Sequence, residues 1–283
     1  MNQVKYFDHN NKGNDYVVGD LHGCYQILFD ALNAINFDFD NDRLFSVGDL
    51  VDRGPDSHKT ALLIDEDWFH SIRGNHEDMF LDAFLSPSDP YIDHNQVKYN
   101  YLHDYGQWAR YNDVEMSVLA HKLVRLPLII VVGKDTETRF NIVHGEILKQ
   151  GDIASNSDID NWTFNRDEIN QLVWGRLLAG YTYNSYNPDK FICKQENMST
   201  TYVGHTPVSQ LIKIESQIYI DRGAVFSRRQ TNDNHINALA IAQPLKNVIH
   251  EWYPTRNELV SVDQDDIIVK ENKQYGSTNH SST

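Results

Sequence analysis

The sequence predicts an α/β fold in which helices cover two packed β-sheets. Its first half alternates short apolar runs of strand length with segments whose apolar residues recur at helical spacing. Beyond residue 199 the apolar runs are mostly strand-like, which indicates a β-rich last third. The 283 residues are 40% hydrophobic, enough for the core that layers of sheet and helix require.

The first half predicts a βαβαβ order. Tyr16-Val17-Val18 is the first predicted strand, and it stops at Gly19. Leu28, Leu32 and Ile35 then recur at helical spacing and predict the first helix. The later predicted helices lie at residues 61–64, 79–84 and 116–123, and the later predicted strands at residues 44–47, 69–72, 128–132, 140–143, 201–203, 211–214, 218–220, 236–241 and 248–252.

The chain is expected to form a single domain over residues 15–270. Residues 1–14 are polar and rich in Asn and Lys, so we expect a flexible leader there. Residues 271–283 are expected to form a disordered tail. Residues 150–199 are rich in Asn and Asp and lack a clear period, which predicts a long loop.

Charge and composition exclude several classes of protein. The formal net charge of −15 argues against a general nucleic-acid binder, because phosphate backbones attract basic surfaces. No apolar run is long enough for a transmembrane helix, and the N-terminus lacks the apolar core of a signal peptide. The two cysteines, Cys24 and Cys193, make a disulfide framework unexpected, so a cytoplasmic location is the simplest interpretation.

Side chains that bind metals follow five of the predicted strands. Ligands gather at the carboxyl ends of strands in open α/β sheets, so these side chains are expected to lie together. A glycine adjoins or lies near each of them, and glycine lets the backbone turn sharply beside a ligand. The six candidate ligands, of which one lies two residues beyond the first strand end, are Asp20, His22, Asp49, Asn75, His144 and His205.

This mixture of carboxylate, amide oxygen and imidazole suits Mn²⁺, Fe or Zn²⁺ better than Ca²⁺, which favours oxygen alone. Six ligands exceed the needs of one open catalytic ion and fit two ions that share a carboxylate. Two such ions clamp the attacking and departing oxygens in the displacement of a phosphoester. A single Asp after a strand is usually a turn residue or a helix cap, but that explanation does not account for the ordered set.

Three motifs carry a resemblance to a known family: Gly19-Asp20-Leu21-His22-Gly23, Gly48-Asp49-Leu50-Val51-Asp52-Arg53-Gly54 and Arg73-Gly74-Asn75-His76-Glu77. Together they resemble the signature of the calcineurin-like metallophosphoesterases. Within that family they are most similar to the phosphoprotein phosphatase branch, near the bacteriophage lambda and bacterial serine/threonine protein phosphatases. The likeness covers about residues 15–242. It implies a four-layer β-sandwich flanked by helices, with residues 15–270 as a single metallophosphatase catalytic domain.

The resemblance also implies how the ligands divide between two divalent ions. Asp20 and His22 would bind the first ion, and Asp49 would bridge both ions. The second ion would be completed by Asn75, His144 and His205. Mn²⁺ is the expected metal, with Fe, Zn²⁺ or Mg²⁺ as alternatives.

Around the metals, the resemblance implies catalytic and substrate-binding residues. A hydroxide that bridges the metals would attack phosphorus in line, and His76 would act as the general acid that protonates the leaving oxygen. Asp52 matches the carboxylate that hydrogen-bonds this histidine. Arg53 and Arg73 match arginines around the phosphate, and Arg176 matches a further phosphate clamp.

The implied function is a dinuclear-metal-dependent phosphomonoesterase: a serine/threonine, or dual-specificity, protein phosphatase that also accepts small phosphate esters. An alternative is a diadenosine tetraphosphate hydrolase of the same superfamily; Asp52 favours the phosphatase, because the hydrolases often carry Ala there. An alternative of another class is a non-catalytic phosphoryl-binding scaffold. A nucleic-acid phosphodiesterase is disfavoured by the acidic charge and by the Asp52–Arg53 pair. Neither nucleic acid nor a membrane is an expected partner.

Three further residues have an expected role. Glu146 is expected to alter the mouth of the site, and Arg222 either adds charge near the substrate or points to solvent. Cys24 is interpreted as a packing residue at the start of a helix rather than a nucleophile. Substrate specificity is expected in residues 86–113 and 150–199, and the C-terminal extension is expected to add a β-hairpin that covers a sheet edge.

Overall fold

A computed structural model describes residues 3–85, 92–110, 112–179, 197–228 and 237–269. The predicted tail, residues 271–283, lies outside these ranges. The helices are α1 (Tyr25–Ala34), α2 (Ser57–Leu62), α3 (Asn75–Phe84), α4 (His94–Asp104), α5 (Asp113–Leu123), α6 (Asn156–Asp160) and α7 (Arg166–Trp174). The strands are β1 (Val4–Phe7), β2 (Asp15–Val18), β3 (Arg43–Ser46), β4 (Phe69–Ser71), β5 (Ile129–Val132), β6 (Phe140–Val143), β7 (Leu148–Lys149), β8 (Asp152–Ile153), β9 (Thr201–Val203), β10 (Ile212–Ile214), β11 (Gln217–Tyr219), β12 (Leu239–Gln243), β13 (Val248–Tyr253), β14 (Glu258–Asp263) and β15 (Ile268–Val269).

Two large mixed sheets pack face to face. One has seven strands in the order β1-β5-β6-β9-β11-β10-β15, and the other has six in the order β14-β13-β12-β2-β3-β4. One apolar cluster fills the space between them and includes Val17 of β2 and Ile142 of β6. Because side chains alternate along a strand, the next residues, Val18 and Val143, face outward. Val18 packs with residues of α1, α3 and α5, and Val143 with residues of α6 and α7.

The resulting layers are helix, sheet, sheet and helix, which confirms the predicted four-layer sandwich. β2, β3 and β4 run parallel in one sheet, and β6, β9 and β11 run parallel in the other. All of these strands are almost wholly buried, which explains why they read in the sequence as continuous apolar runs. The carboxyl ends of both parallel groups meet at one end of the sandwich.

The prediction of a flexible leader is wrong for residues 4–7. They form β1, an edge strand that pairs in parallel with β5 from Val4 beside Ile129 to Phe7 beside Val132. The Phe7 ring packs edge-on against Phe45 in the core between the sheets, with ring centroids 5.1 Å apart. A strand of four residues is too short to show a clear period, so the polar residues around it dominated the prediction.

The loop predicted over residues 150–199 is interrupted by structure. α6 begins after Ser155, whose hydroxyl accepts a hydrogen bond from the backbone N–H of Asp158, and α7 begins after Asn165, whose side chain accepts from Glu168 in the same way. In both, the acidic side chain bonds back to the backbone of the capping residue, which completes a capping box. Residues 180–196 lie outside the described part of the chain.

The C-terminal extension contains the expected hairpin. β13 and β14 pair antiparallel from Val248 beside Asp263 to Tyr253 beside Glu258, and β13 also pairs with β12. The hairpin thereby covers what would otherwise be the exposed edge of β12. Among the residues described, no helix has the length and apolar character needed to cross a membrane.

Candidate metal centre

The six predicted ligands meet where the parallel strands of the two sheets end. Asp20, Asp49 and Asn75 follow β2, β3 and β4, while His144 and His205 follow β6 and β9. All six side chains are at least 95% buried. The backbone at Asp49 and Gly74 allows the ligands to approach one another closely. Asp49 has a φ of 51°, in the left-handed region, and a Cβ on Gly74 would lie only 2.3 Å from Asp49 Oδ1.

Asp49 lies at the centre of two groups of ligand atoms. Its Oδ2 is 3.4 Å from His22 Nε2, and its Oδ1 is 3.3 Å from His144 Nε2. One group contains Asp49, His22 and His76, and the other contains Asp49, His144 and His205; within each, the ligand atoms lie within 4.8 Å of one another. A carboxylate that offers one oxygen to each of two groups has the arrangement required of a bridging ligand.

The first group is completed by Asp20. Its Oδ2 lies 4.0 Å from His22 Nε2, and its carboxylate accepts a hydrogen bond from the backbone N–H of His205. Burial and the nearby carboxylates of Asp221 and Asp49 raise the pKa of Asp20 well above its usual range. Several buried carboxylates this close together favour a bound cation, which would offset their mutual repulsion.

The second group is completed by the side-chain oxygen of Asn75. Asn75 Oδ1 lies 2.8 Å from His205 Nδ1 and 3.0 Å from His144 Nε2. Asn75 is the first residue of α3, so the start of this helix fixes its position beside both histidines. One amide oxygen, two imidazole nitrogens and Asp49 Oδ1 therefore converge on one region.

The histidines present the correct atoms for metal binding. His22 Nδ1 is 2.9 Å from the carbonyl oxygen of Val51, and His144 Nδ1 is 2.7 Å from that of Val47. With each Nδ1–H donated to a carbonyl, each Nε2 lone pair faces Asp49. Burial lowers the pKa of both histidines, and it lowers the pKa of His205 to about 3. Neutral imidazoles are the form that binds metals, so the donor set fits divalent ions.

His76 and Asp52 form a buried pair beside the first group. His76 Nδ1 is 2.7 Å from Asp52 Oδ2, and neither side chain is more than 1% exposed. His76 Nε2 points toward the centre, 4.0 Å from Asp49 Oδ2. Burial opposes the charged form of His76, but Asp49 and Asp52 outweigh burial and raise its pKa above the usual value. The pair thus holds a proton close to the ligands.

Two of the three predicted arginines reach the ligands. Arg53 Nη1 is 2.6 Å from His22 Nε2, and Arg176 Nε is 3.0 Å from His205 Nε2. Arg73 instead pairs with Asp78 on α3, with Nε 2.8 Å from Oδ1. Within the described part of the chain, the structure records no hydrogen bond or ion pair between Arg73 and a candidate ligand.

Two acidic residues that the sequence analysis did not assign also belong to the site. Asp221 follows β11, as the predicted ligands follow their strands, and burial with nearby Asp49 raises its pKa to about 6. Glu77 accepts hydrogen bonds from the backbone N–H groups of Asp49, Leu50 and Gly74, at 2.8–2.9 Å. Glu77 thereby joins the loop that carries Asp49 to the start of α3. Asp221 could have been predicted from the sequence, because it follows a predicted strand as the candidate ligands do. Glu77 could have been predicted from its position directly after Asn75-His76.

The contacts of Glu146, Arg222 and Cys24 show where these three residues lie. Glu146 does not line the mouth of the site; it is fully buried and accepts hydrogen bonds from the backbone N–H groups of Leu178 and Ala179, just beyond Arg176. Arg222 does not point to solvent, because it is buried and its guanidinium donates to Glu251 and to the Val208 carbonyl. Cys24 is buried among apolar residues at the start of α1.

Comparisons with known proteins agree with this geometry. Residues 16–209 match the calcineurin-like phosphoesterase family. The chain is 31% identical over 226 residues to a serine/threonine-protein phosphatase 1 of Salmonella typhimurium, covering 76% of this chain and 89% of that protein. It is 33% identical over 144 residues to a symmetrical bis(5'-nucleosyl)-tetraphosphatase of Proteus mirabilis, covering 50% and 47%.

The fold also resembles that of a solved protein serine/threonine phosphatase from Saccharomyces cerevisiae. That structure has a TM-score of 0.52 and 16% identity, and the match covers 93% of this chain and 83% of that one. The family holds two divalent metal ions, for which the groups around Asp49 are the candidate sites. The chain therefore belongs to the calcineurin-like phosphoesterase family and is a metal-dependent phosphoester hydrolase.

Proposed function

We propose that this protein is a phosphomonoesterase that removes phosphate from phosphoserine and phosphothreonine in proteins or peptides, with small phosphate esters as further substrates. The buried Asp52–His76 pair beside the ligands carries this proposal. A serine or threonine oxygen is a poor leaving group, so its departure needs a proton from a positioned acid. The Salmonella typhimurium phosphatase, which aligns over 89% of its length, supports the same substrate class.

The proposed ligands divide between two ions. Asp20, His22 and Asp49 would hold one, and Asp49 with Asn75, His144 and His205 would hold the other. Two bound divalent ions would lower the pKa of a water to supply the nucleophile, and they would neutralise charge on the phosphoryl oxygens. We propose Mn²⁺ as the native ion, since the donor set mixes carboxylate, amide and imidazole; Fe, Zn²⁺ and Mg²⁺ are the alternatives. The cytoplasmic location stays a prediction from the low cysteine content.

The protein's own side chains would do the remaining work. The Arg53 and Arg176 guanidinium groups, each beside a ligand histidine, would bind phosphoryl oxygens with paired N–H donors and remain charged throughout. His76 would give its Nε2 proton to the leaving oxygen while its Nδ1–H remains hydrogen-bonded to Asp52. A role for Arg73 in substrate binding would require it to leave its ion pair with Asp78.

A second candidate substrate is a dinucleoside tetraphosphate. The partial match to the Proteus mirabilis tetraphosphatase favours it, although that match covers only 50% of this chain. The same metal ligands would serve, but the leaving group would be a phosphate chain, which departs without the help that an alkoxide needs. The pair of Asp52 and His76 therefore favours the monoester.

The test is a side-by-side assay of the Mn²⁺-reconstituted protein on phosphoserine and phosphothreonine peptides, a phosphotyrosine peptide, an aryl phosphate and diadenosine tetraphosphate. We expect the highest kcat/KM on the phosphoserine or phosphothreonine peptides. Asp49→Asn, purified in the same way, controls for contaminating phosphatases. Faster turnover of the dinucleotide would overturn the protein substrate, and no turnover of the aryl phosphate with Mn²⁺ present would favour a non-catalytic scaffold.

A further inference from the structure

The carboxylate of Asp52 receives two hydrogen bonds that its role as partner of His76 does not require. Asp52 Oδ1 accepts from the hydroxyl of Tyr101 at 2.6 Å and from the indole N–H of Trp108 at 2.7 Å. Its other oxygen, Oδ2, faces His76 Nδ1 at 2.7 Å. Asp52 is fully buried, and three donors therefore hold its two oxygens in place.

These donors come from the segment of residues 92–110, which packs against the helix that carries His76. Tyr101 is 4% exposed and lies on α4, with its ring edge-on to Phe80. Trp108 stacks on the same Phe80 ring, with centroids 5.4 Å apart. Phe80 follows His76 by one helical turn on α3, so one helix carries both the acid and the ring on which its supporting residues pack.

The chain reverses sharply between the two donors. Gly106 donates its backbone N–H to the Tyr101 carbonyl at 2.8 Å, and a Cβ at this position would lie 2.0 Å from the Tyr101 ring. The glycine therefore permits the close turn that returns Trp108 to Asp52. The preceding residue, Tyr105, places its ring edge-on to the His76 imidazole, with centroids 5.5 Å apart.

We propose that Tyr101 and Trp108 are positioning residues for proton delivery by His76; this rests on the proposed role of His76 as the general acid. Asp52 lies in a loop at a φ of 70°, so no helix or strand fixes the plane of its carboxylate. The two donors on Oδ1 fix that plane and direct Oδ2 at His76 Nδ1. The imidazole is thereby held with Nε2–H facing the leaving oxygen.

The chemical step shows which substrates should react more slowly when the Tyr101 and Trp108 donors are removed. The bond between phosphorus and the leaving oxygen breaks as the oxygen of a deprotonated water bonds to phosphorus, and the Nε2 proton passes to the leaving oxygen. The proton that the water gave up replaces the one that His76 has lost. The Nδ1–H stays on His76 and remains hydrogen-bonded to Asp52 throughout. A leaving group of low pKa departs with little need of that proton, whereas one of high pKa depends on it. A misdirected His76 should therefore slow only the substrates that have poor leaving groups.

The experiment compares the parent protein with Tyr101→Phe, Trp108→Phe and the double variant on substituted phenyl phosphates whose phenols span a range of pKa, with Mn²⁺ at saturation. We expect kcat on the poorest leaving groups to fall about 10-fold or more in each variant, within the range that a general acid contributes. On the best leaving groups kcat should fall by less than about 3-fold, and KM should change little. In the variants, kcat should therefore depend more steeply on the pKa of the leaving phenol than it does in the parent protein.

Two matched variants act as controls. Tyr99→Phe removes a hydroxyl from the same helix, where the side chain is 65% exposed, and Trp68→Phe removes an indole N–H from a separate aromatic cluster. Both should keep the parental dependence on leaving-group pKa. Equal slowing of all phenyl phosphates in Tyr101→Phe and Trp108→Phe would indicate a merely structural role, and parental kinetics would also overturn the proposal.

A second measurement reports the contact between His76 and Asp52 directly and does not depend on turnover. In the Zn²⁺-loaded protein, the proton between His76 Nδ1 and Asp52 should give a downfield NMR resonance, which moves upfield in Tyr101→Phe; an unmoved resonance would overturn the proposal. A different result would refute the proposed function. A parent protein that hydrolyses phenyl phosphates but no phosphopeptide would refute the protein substrate and leave the role of Tyr101 and Trp108 open to the same test.

Discussion

His76 and Asp49 are neighbours in space but have separate tasks. The backbone N–H of His76 donates to Asp49 Oδ1 at 3.0 Å, while its ring is held by Asp52. His76, the proposed proton donor, is therefore anchored to Asp49, the proposed bridging ligand, through its backbone and not through its ring. Replacing either side chain should affect a different property of the enzyme.

For His76→Asn we expect turnover of a phosphate ester with a poor leaving group to fall by about 10²–10⁴-fold, the usual contribution of a general acid. Metal content should remain nearly that of the parent, because the ligands retain their positions. Steady-state kinetics and elemental analysis on the same preparation check both. An unchanged rate on such an ester would contradict the assignment of His76 as the acid.

For Asp49→Asn we expect weaker binding of both ions, because one carboxylate faces both groups of ligands and a single charge is lost from each. Calorimetric titration of the metal-free protein with Mn²⁺ measures the two affinities. The control is Asp56→Asn, which removes a more exposed carboxylate paired with Lys59. Two ions bound with parental affinity would rule out the bridging role.

At the residue scale, the sequence predicted which candidate ligands lie together, because each stands in a local motif at or near a strand end. Tyr101 and Trp108 could not, since they contact Asp52 across 49 and 56 residues of sequence. Tyr101 lies on an otherwise polar helix. The sequence around it does not show whether its hydroxyl donates to Asp52 or its ring only packs in the core. Arg73 was predicted from its motif, but its ion pair with Asp78 depends on side-chain packing that the motif does not specify.

At the scale of elements, the edge strand β1 affects the pKa of a histidine on β4, in the other sheet. His70 on β4 lies beside Phe7 of β1, with ring centroids 4.6 Å apart. Burial lowers the pKa of His70 from its ordinary value of 6.5 to about 4, and the positive charges of Lys5 on β1 and Arg43 on β3 add to this effect. The folded protein thus favours neutral His70.

This shift predicts a pH dependence of stability. Between pH 6.5 and about 4 the unfolded chain binds a proton at His70 that the folded chain does not, so the free energy of unfolding should fall as the pH falls through this window. Above pH 6.5 the contribution should be complete and constant. In His70→Gln the metal-free protein should lose less stability across this window than the parent does.

Denaturant unfolding with EDTA present, at several pH values from 4 to 7, measures this difference. His103→Gln is the matched control, since its side chain is 69% exposed and lies on α4, away from the strands. His22, His144 and His205 shift in the same direction and remain in all variants, so only the difference from the parent is informative. Identical pH profiles for the parent and His70→Gln would refute the prediction.

The elements that the sequence did predict are the buried strands and amphipathic helices of the sandwich. The missed elements have physical reasons. β1 has only four residues, and α4 is polar with one buried side chain, Tyr101, so neither gives a clear period. α6 and α7 were hidden in a polar segment, although the capping boxes at Ser155 and Asn165 were readable signals.

At the scale of the whole molecule, the candidate metal centre draws its residues from both sheets. Asp20, Asp49 and Asn75 come from the six-stranded sheet, while His144 and His205 come from the seven-stranded sheet. Ions bound by both sets of residues would stabilise the packing of the sheets against each other, because separating the sheets would break the coordination.

Removal of metal should therefore lower the stability of the entire domain. An ion at 100 times its Kd stabilises the folded state by about 2.7 kcal/mol, and each kcal/mol raises the Tm of a domain of this size by about 2–4 °C. We expect Mn²⁺ to raise the Tm of the metal-free protein by several degrees in a concentration-dependent way. The control is His205→Ala, in which the Mn²⁺-dependent increase should be smaller; an equal increase would place the stabilising ions elsewhere.

The contact between Asp20 and His205 also has a consequence for the synthesis of the protein. The carboxylate of Asp20 accepts from the backbone of a residue 185 positions later in the chain. A nascent chain that ends before His205 lacks one of the candidate ligands of the second group, however well its first strands have formed. We therefore expect metal capture and activity to be late events in synthesis, and we expect a chain that terminates before this residue to be an inert fragment.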